Sequence, residues 1–190
     1  FNHFIKAEEE IKSLRKKGFN KTNILILRTT MLWGNKYDKN INFIYNFFNK
    51  YKFFPISSNS KGLRAPIHYK DLSILIIKLL DYKFSGLQEF DVYGSTQIPF
   101  KEIVRLVKLN GFNNKVKILM IPYKLLVLFE IILRYLPKNK LIAKFSYPIA
   151  AMIRQSDDLI YKYNDVRKII PKFEDKSFEE HLIKTYKKFR

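Results

Sequence analysis

The chain contains no cysteine, which removes disulfides and thiolate metal sites and fits a reducing, cytoplasmic setting. Glycine is scarce, at six residues, and none of the six falls into G-x-G-x-x-G or G-x-x-x-x-G-K-[ST]. A loop that cradles phosphates with its backbone N–H groups is therefore not encoded here. The three histidines, His3, His68 and His181, are too scattered for a pattern such as H-E-x-x-H, so no metal site is expected. A membrane span needs about 20 uninterrupted apolar residues. The most apolar stretch, Lys117 to Leu136, is broken by Pro122, Lys124, Glu130 and Arg134. A surface-lying amphipathic helix stays open there. The first residues, FNHFIKAEEEIKSL, lack the basic and apolar segments of a signal peptide. A chain that opens on Phe1 and runs straight into a helical pattern is expected to be cut from something longer.

What the chain has in quantity is apolar and basic surface. Across 190 residues, 47% are hydrophobic and 16% aromatic, enough for a packed globule rather than a disordered tail. Lys and Arg number 36 against 17 Asp and Glu, a net charge of +19. Such a charge suits a nucleic-acid or anionic-membrane binder. Heavy use of Lys, Asn, Ile, Phe and Tyr also has a compositional origin in coding DNA rich in A and T. The basic residues are spread along the chain instead of forming one block, so no nucleic acid is expected as a partner. Peripheral membrane contact stays open.

Periodicity predicts alternating helices and strands. A helix over Phe4 to Lys17 has Ala7, Ile11 and Leu14 on one side and Gly18 as a stop. Asn23 to Leu27 is an apolar strand, followed by a polar loop through Gly34 and Asp38. A helix over Asn40 to Tyr51 and an extended Phe53 to Ile56 come next, then a loop over Ser57 to Gly62. Asp71 is expected to cap the apolar helix LSILIIKLL. Glu89 to Tyr93 reads as a strand, Gly94-Ser95 as a turn, and Phe100 to Leu109 as a helix opened by Pro99 and closed by Gly111. Lys115 to Ile121 reads as a half-buried strand. Helices over Tyr123 to Tyr135 and Leu141 to Ile153 follow. The tail is expected to hold a strand at Leu159 to Tyr161, a helix opened by Asn164, and a last helix behind the capping box Ser177-Phe178-Glu179-Glu180. The alternation places the chain in the α/β class.

Four strings carry the reading further. Leu27-Arg28-Thr29-Thr30-Met31-Leu32-Trp33-Gly34 resembles the L-R-P-T-x-x-Y-G string of extended short-chain dehydrogenases. Gly62-Leu63-Arg64-Ala65-Pro66-Ile67-His68-Tyr69-Lys70-Asp71 is similar to their G-x-R-x-P-V-H-x-x-D element. Tyr93-Gly94 with Ile98-Pro99-Phe100-Lys101-Glu102-Ile103-Val104 resembles a strand-turn-helix of the same group. Ala151 to Leu159 looks like its A-x-x-x-R-x-x-x-D-L segment. In this order and spacing, the strings resemble the NAD(P)-dependent epimerase/dehydratase family, the nucleoside-diphosphate-sugar epimerase type of extended short-chain dehydrogenase, over its C-terminal portion.

The resemblance implies an α/β fold: the C-terminal part of a Rossmann-type parallel sheet with a smaller mixed α/β substrate domain. Residues 1–56 would be the end of an incomplete cofactor domain with the start of the substrate region, and 57–190 the substrate domain. It implies NAD or NADP as cofactor, a nucleoside-diphosphate sugar as substrate, and is compatible with a homodimer. The cofactor-binding N-terminal half would be missing from the chain. Lys6 would be the lysine of Y-x-x-x-K, which puts Asn2 at the tyrosine position, where an amide cannot act as acid or base. Lys6 otherwise reads as a surface lysine. Thr29 falls near the nicotinamide. Arg64 matches an arginine that grips the diphosphate, a task suited to a bidentate guanidinium; otherwise it is a solvated loop cation. Asn40 is a candidate polar substrate contact. His68 takes the family's His/Tyr position on the substrate side, though a packed, hydrogen-bonded histidine is the plainer reading. Met31 stands where relatives carry a substrate-binding Asn. Asn2 and Met31 leave a rival open, a non-catalytic binding protein of the same fold; a basic membrane or nucleic-acid binder is the other.

Overall fold

Helix-period runs of apolar residues, cut by short strands, give the α/β arrangement expected. The computed structural model describes residues 2–16, 22–35, 37–113, 115–137, 140–160 and 163–186. The first helix, α1 (Asn2–Lys16), leads to strand β1 (Ile24–Thr29) and a two-residue strand β2 (Leu32–Trp33). The expected stop at Gly18 lies outside the described residues. Helix α2 (Ile41–Tyr51) buries Ile41, Ile44 and Phe48, one stripe at spacings of three and four. It ends where Lys52 turns left-handed at φ 64° and its N–H reaches back to Phe48 O. Strands β3 (Phe53–Ser57), β4 (Leu63–Arg64) and β5 (Ile67–His68) precede helix α3 (Tyr69–Leu80).

Strands β6 (Leu87–Val92) and β7 (Ile98–Pro99) lead into helix α4 (Phe100–Phe112), followed by β8 (Lys117–Ile121), α5 (Tyr123–Tyr135), α6 (Lys140–Ile153) and α7 (Phe178–Tyr186). β1 pairs with β6, β2 with β5 and β3 with β8, all parallel; β4 and β7 pair antiparallel. Parallel pairing requires a crossover between the strands, and α2, α3 and α4 lie within those crossovers. One core gathers Ile44, Phe48, Ile103, Val107 and Leu182 between α2, α4 and α7. A second gathers Leu75, Leu79, Phe90, Val92 and Phe173 around α3 and β6. Among the described residues, no helix is long and apolar enough to cross a membrane.

Several boundaries depart from expectation for local reasons. α4 runs through Gly111 and stops at Asn113, left-handed at φ 46°. Gly111 serves a close approach instead, since a Cβ there would sit 3.0 Å from the Tyr45 ring. α3 is capped by His68, whose Nδ1 accepts from Lys70 N at 3.3 Å, and not by Asp71, which lies buried in the first turn. The expected strand at Leu159 reduces to one bridge to Arg64, and Tyr161 lies outside the described residues. The expected helix at Asn164 is a 3-10 turn, Val166–Lys168, capped by Asp165, because the Asn164 side chain is held on Glu89 O at 2.5 Å.

Candidate functional site

Two short strand pairs, β2–β5 and β4–β7, bring distant segments to one corner. Between β4 and β5, Ala65 O accepts from Thr30 Oγ1 at 2.6 Å and from Gly94 N at 3.1 Å. Gly94 has to be glycine for this approach: a Cβ would lie 2.0 Å from Pro66 O.

Arg64 is 4% exposed, and its guanidinium is turned into the protein. Nη1 donates to Leu63 O at 2.9 Å and Asp157 O at 2.5 Å, and Nη2 to Arg154 O at 3.0 Å. Phe100 lies under its central carbon at 5.7 Å. The 3-10 turn Arg154–Ser156 is thus clamped from one side. From the other, the buried Gln155 side chain accepts from Ser57 N at 2.8 Å, while Gly62 N donates to Gln155 O at 3.0 Å. Leu63 N donates to Asp158 Oδ1 at 2.7 Å. A Cβ on Gly62 would meet Asp157 O at 2.3 Å, so backbone packs on backbone here. The turn leaves Arg154 exposed at the surface beside the buried Arg64.

His68 is also buried, 5% exposed, and belongs to a different group of side chains. Its ring stacks on His181 at 3.9 Å and 8°, and meets Trp33 edge-on at 5.0 Å. His181 Nε2 lies 2.6 Å from Asp71 Oδ2, which also accepts from Lys176 N at 3.2 Å. Burial, then the neighbouring His181 and Lys70, pushes the His68 pKa down to about 4. At neutral pH the ring is uncharged, as a packed imidazole between a tryptophan and a second imidazole must be. Gly34, at φ 109°, lies against it, and a Cβ there would come within 2.2 Å of His68 Nε2.

The remaining candidates sit elsewhere on the same scaffold. Thr29 is exposed at the carboxyl end of β1. Asn40 is exposed before α2, its Nδ2 donating to Leu32 O at 3.1 Å. The side chain that caps α2 is Asp38, which accepts from Asn40 N, Ile41 N and Asn42 N. Lys6 is exposed on α1, and the side chain of Asn2 lies outside the described residues. Met31 is half-buried and packed against the first core. Sequence reasoning missed the ion network that ties α1 to the sheet. Arg28 bonds Glu8 at 2.7 Å and also Glu89, and Lys12 bonds Glu89 at 2.5 Å. The Arg28 guanidinium holds the Glu8 carboxyl below its ordinary range, and Lys12 does the same to Glu89. It also missed His181 as the partner of His68, and Asp71 as the partner of His181. Among the described residues, no cluster of three or more His, Asp or Glu side chains is arranged to hold a metal.

No protein-family model matches the chain, and no curated protein matches its sequence. Solved structures do match its fold, and they are NAD-dependent epimerases and dehydratases of nucleotide sugars among others. The UDP-N-acetylglucosamine 4-epimerase from Bacillus cereus aligns over 96% of this chain and 51% of its own, at 17% identity and a TM-score of 0.60. The UDP-glucose 4-epimerase from Thermotoga maritima aligns over 87% and 45%, at 14% identity and a TM-score of 0.58. The dTDP-glucose 4,6-dehydratase from Bacillus anthracis, solved with NAD, aligns over 86% and 43%, at 14% identity and a TM-score of 0.54. The chain has the Rossmann-like α/β fold of these enzymes and spans about half the length of each.

Proposed function

We propose that this chain is the substrate-binding part of an NAD(P)-dependent nucleotide-sugar epimerase or dehydratase. The observation that carries the reading is the corner where buried Arg64 clamps the turn that presents exposed Arg154. One exposed guanidinium on a turn braced by a second, buried one suits a diphosphate, because Arg154 can offer paired N–H donors to phosphate oxygens while Arg64 holds the turn and adds positive charge behind it. In this reading Arg64 braces the turn and lends its charge, and Arg154 makes the outward contact. Asn40 and His68 border the substrate side through β2 and β5, with His68 packed instead of reactive.

Gly34, Gly62, Gly94 and Gly111 pack against His68, Gln155, Asp157, Pro66 and Tyr45, and among the described residues these four build no phosphate cradle at a helix N-terminus. These residues do not by themselves fit a dinucleotide, and no step is derived through one. Thr29, at the carboxyl end of a parallel strand where open α/β sheets place their ligands, is proposed to face NAD or NADP held mainly by other segments. Lys6 is the candidate for proton chemistry. The amide at position 2 cannot take the tyrosine's part, so the reading assigns substrate binding before catalysis.

Calorimetric titration of UDP-glucose and dTDP-glucose, with NAD(H) present, tests it. Arg154→Ala should leave the melting temperature unchanged and weaken binding by about 1.5–3 kcal/mol, the range for a charge-assisted hydrogen bond. No binding to the folded, unsubstituted chain overturns the proposal.

A further inference from the structure

Helices α5 and α6 pack on each other, yet among the described residues many of their large apolar side chains stand exposed. Of the residues of α5, only Leu126 is buried. Leu125, Leu128, Phe129 and Ile132 fall at helical spacing on one face and are 41–52% exposed. Tyr135, at 87%, stands near the end of the helix, and Tyr147, at 72%, stands on α6. A groove of about 770 Å³ runs between the two helices, lined by Leu133, Ile142, Ala143 and Ala150 among others.

The charges along this hairpin are mostly positive. From Lys115 to Arg154 the sequence has eight Lys and Arg residues and a single acid, Glu130. Glu130 is already paired with Arg134 at 2.6 Å. Thirteen residues of helix extend about 20 Å, too short to cross the hydrocarbon layer but ample to lie within a headgroup region. Exposed apolar side chains, exposed tyrosines and a basic surplus in the same stretch of sequence match a bilayer surface bearing negative charge.

We propose that α5 and α6 form a docking surface for an anionic lipid bilayer, lying in its interface without crossing it. A second copy of the chain would bring the same positive charge against itself, which opposes that alternative. Docking here would hold the Arg64–Arg154 corner close to the membrane, since Arg154 follows directly from the end of α6 at Ile153.

Co-sedimentation of the full chain with phosphatidylcholine vesicles containing 30% phosphatidylserine, against pure phosphatidylcholine, provides the test. Binding should favour the anionic vesicles and persist in part at 0.5 M NaCl. Leu128→Ser with Phe129→Ser and Ile132→Ser should weaken it at least tenfold. Ile77→Ser with Leu80→Ser, which removes exposed apolar groups from α3 instead, should leave it unchanged. Phe129→Trp should show a blue-shifted emission when anionic vesicles are added, a readout from a chain that keeps its large apolar side chain. Equal losses from both serine variants, or complete release by salt with no emission shift, would overturn the proposal. So would a concentration-dependent dimer, by light scattering, that the α5 variant abolishes while vesicles fail to bind.

Discussion

Arg64 and His68 lie four positions apart and both are buried, but each is buried for a different reason. Arg64 donates to three backbone carbonyls, so Arg64→Ala would strip donors from a turn built around them. Chemical denaturation should register a loss of about 2–4 kcal/mol, as when buried acceptors lose a charged donor. The exposed Arg154 should show no comparable loss, which separates bracing from binding. His68 predicts a pH effect. Its folded pKa, about 4, lies below the ordinary histidine value of 6.5. The unfolded chain therefore takes up the proton first as pH falls. The stability held through the neutral ring is complete above pH 6.5 and is lost as pH drops toward 4. Urea midpoints at pH 7 and pH 4.5 should differ more for the native chain than for His68→Phe. Gly34→Ala forces a Cβ to 2.2 Å from the same ring at a positive φ, and should cost about 2–4 kcal/mol.

Elements whose signals are local were legible in the sequence. The apolar periodicity of α5 and α6 marked both helices to within a residue, and Ser177-x-x-Glu180 marked the start of α7. That capping box is present: Ser177 Oγ accepts from Glu180 N at 3.3 Å, and Glu180 Oε2 accepts from Ser177 N at 3.0 Å. Ser177→Ala should lower the melting temperature by a few degrees, measurable by circular dichroism, while Glu179→Ala should not. Strands of two residues such as β2 and β5 show no alternation and were not legible. The contact of His181 with Asp71 joins residues 110 positions apart, and nothing local announces it. The candidate at Arg64 was legible as an arginine suited to phosphate. Its inward turn was not, because two of the three carbonyls that hold it, those of Arg154 and Asp157, come from 90 and 93 positions further along the chain.

At the scale of the whole molecule, a net charge of +19 on 190 residues means that folding concentrates like charge. Adding NaCl from about 20 mM to 300 mM shortens the screening length severalfold. The melting temperature should therefore rise, even though the Arg28, Glu8 and Glu89 network is weakened by the same salt. A fall would mean that this network outweighs the repulsion. The sheet carries a consequence of another kind. Among the described residues β1 pairs only with β6, so its other side offers six residues of backbone donors and acceptors without a neighbouring strand. Such a side is a template. At high protein and salt concentration, where screening lets like-charged copies approach, strands from other copies can extend the sheet there, and the assemblies that form are expected to nucleate at β1.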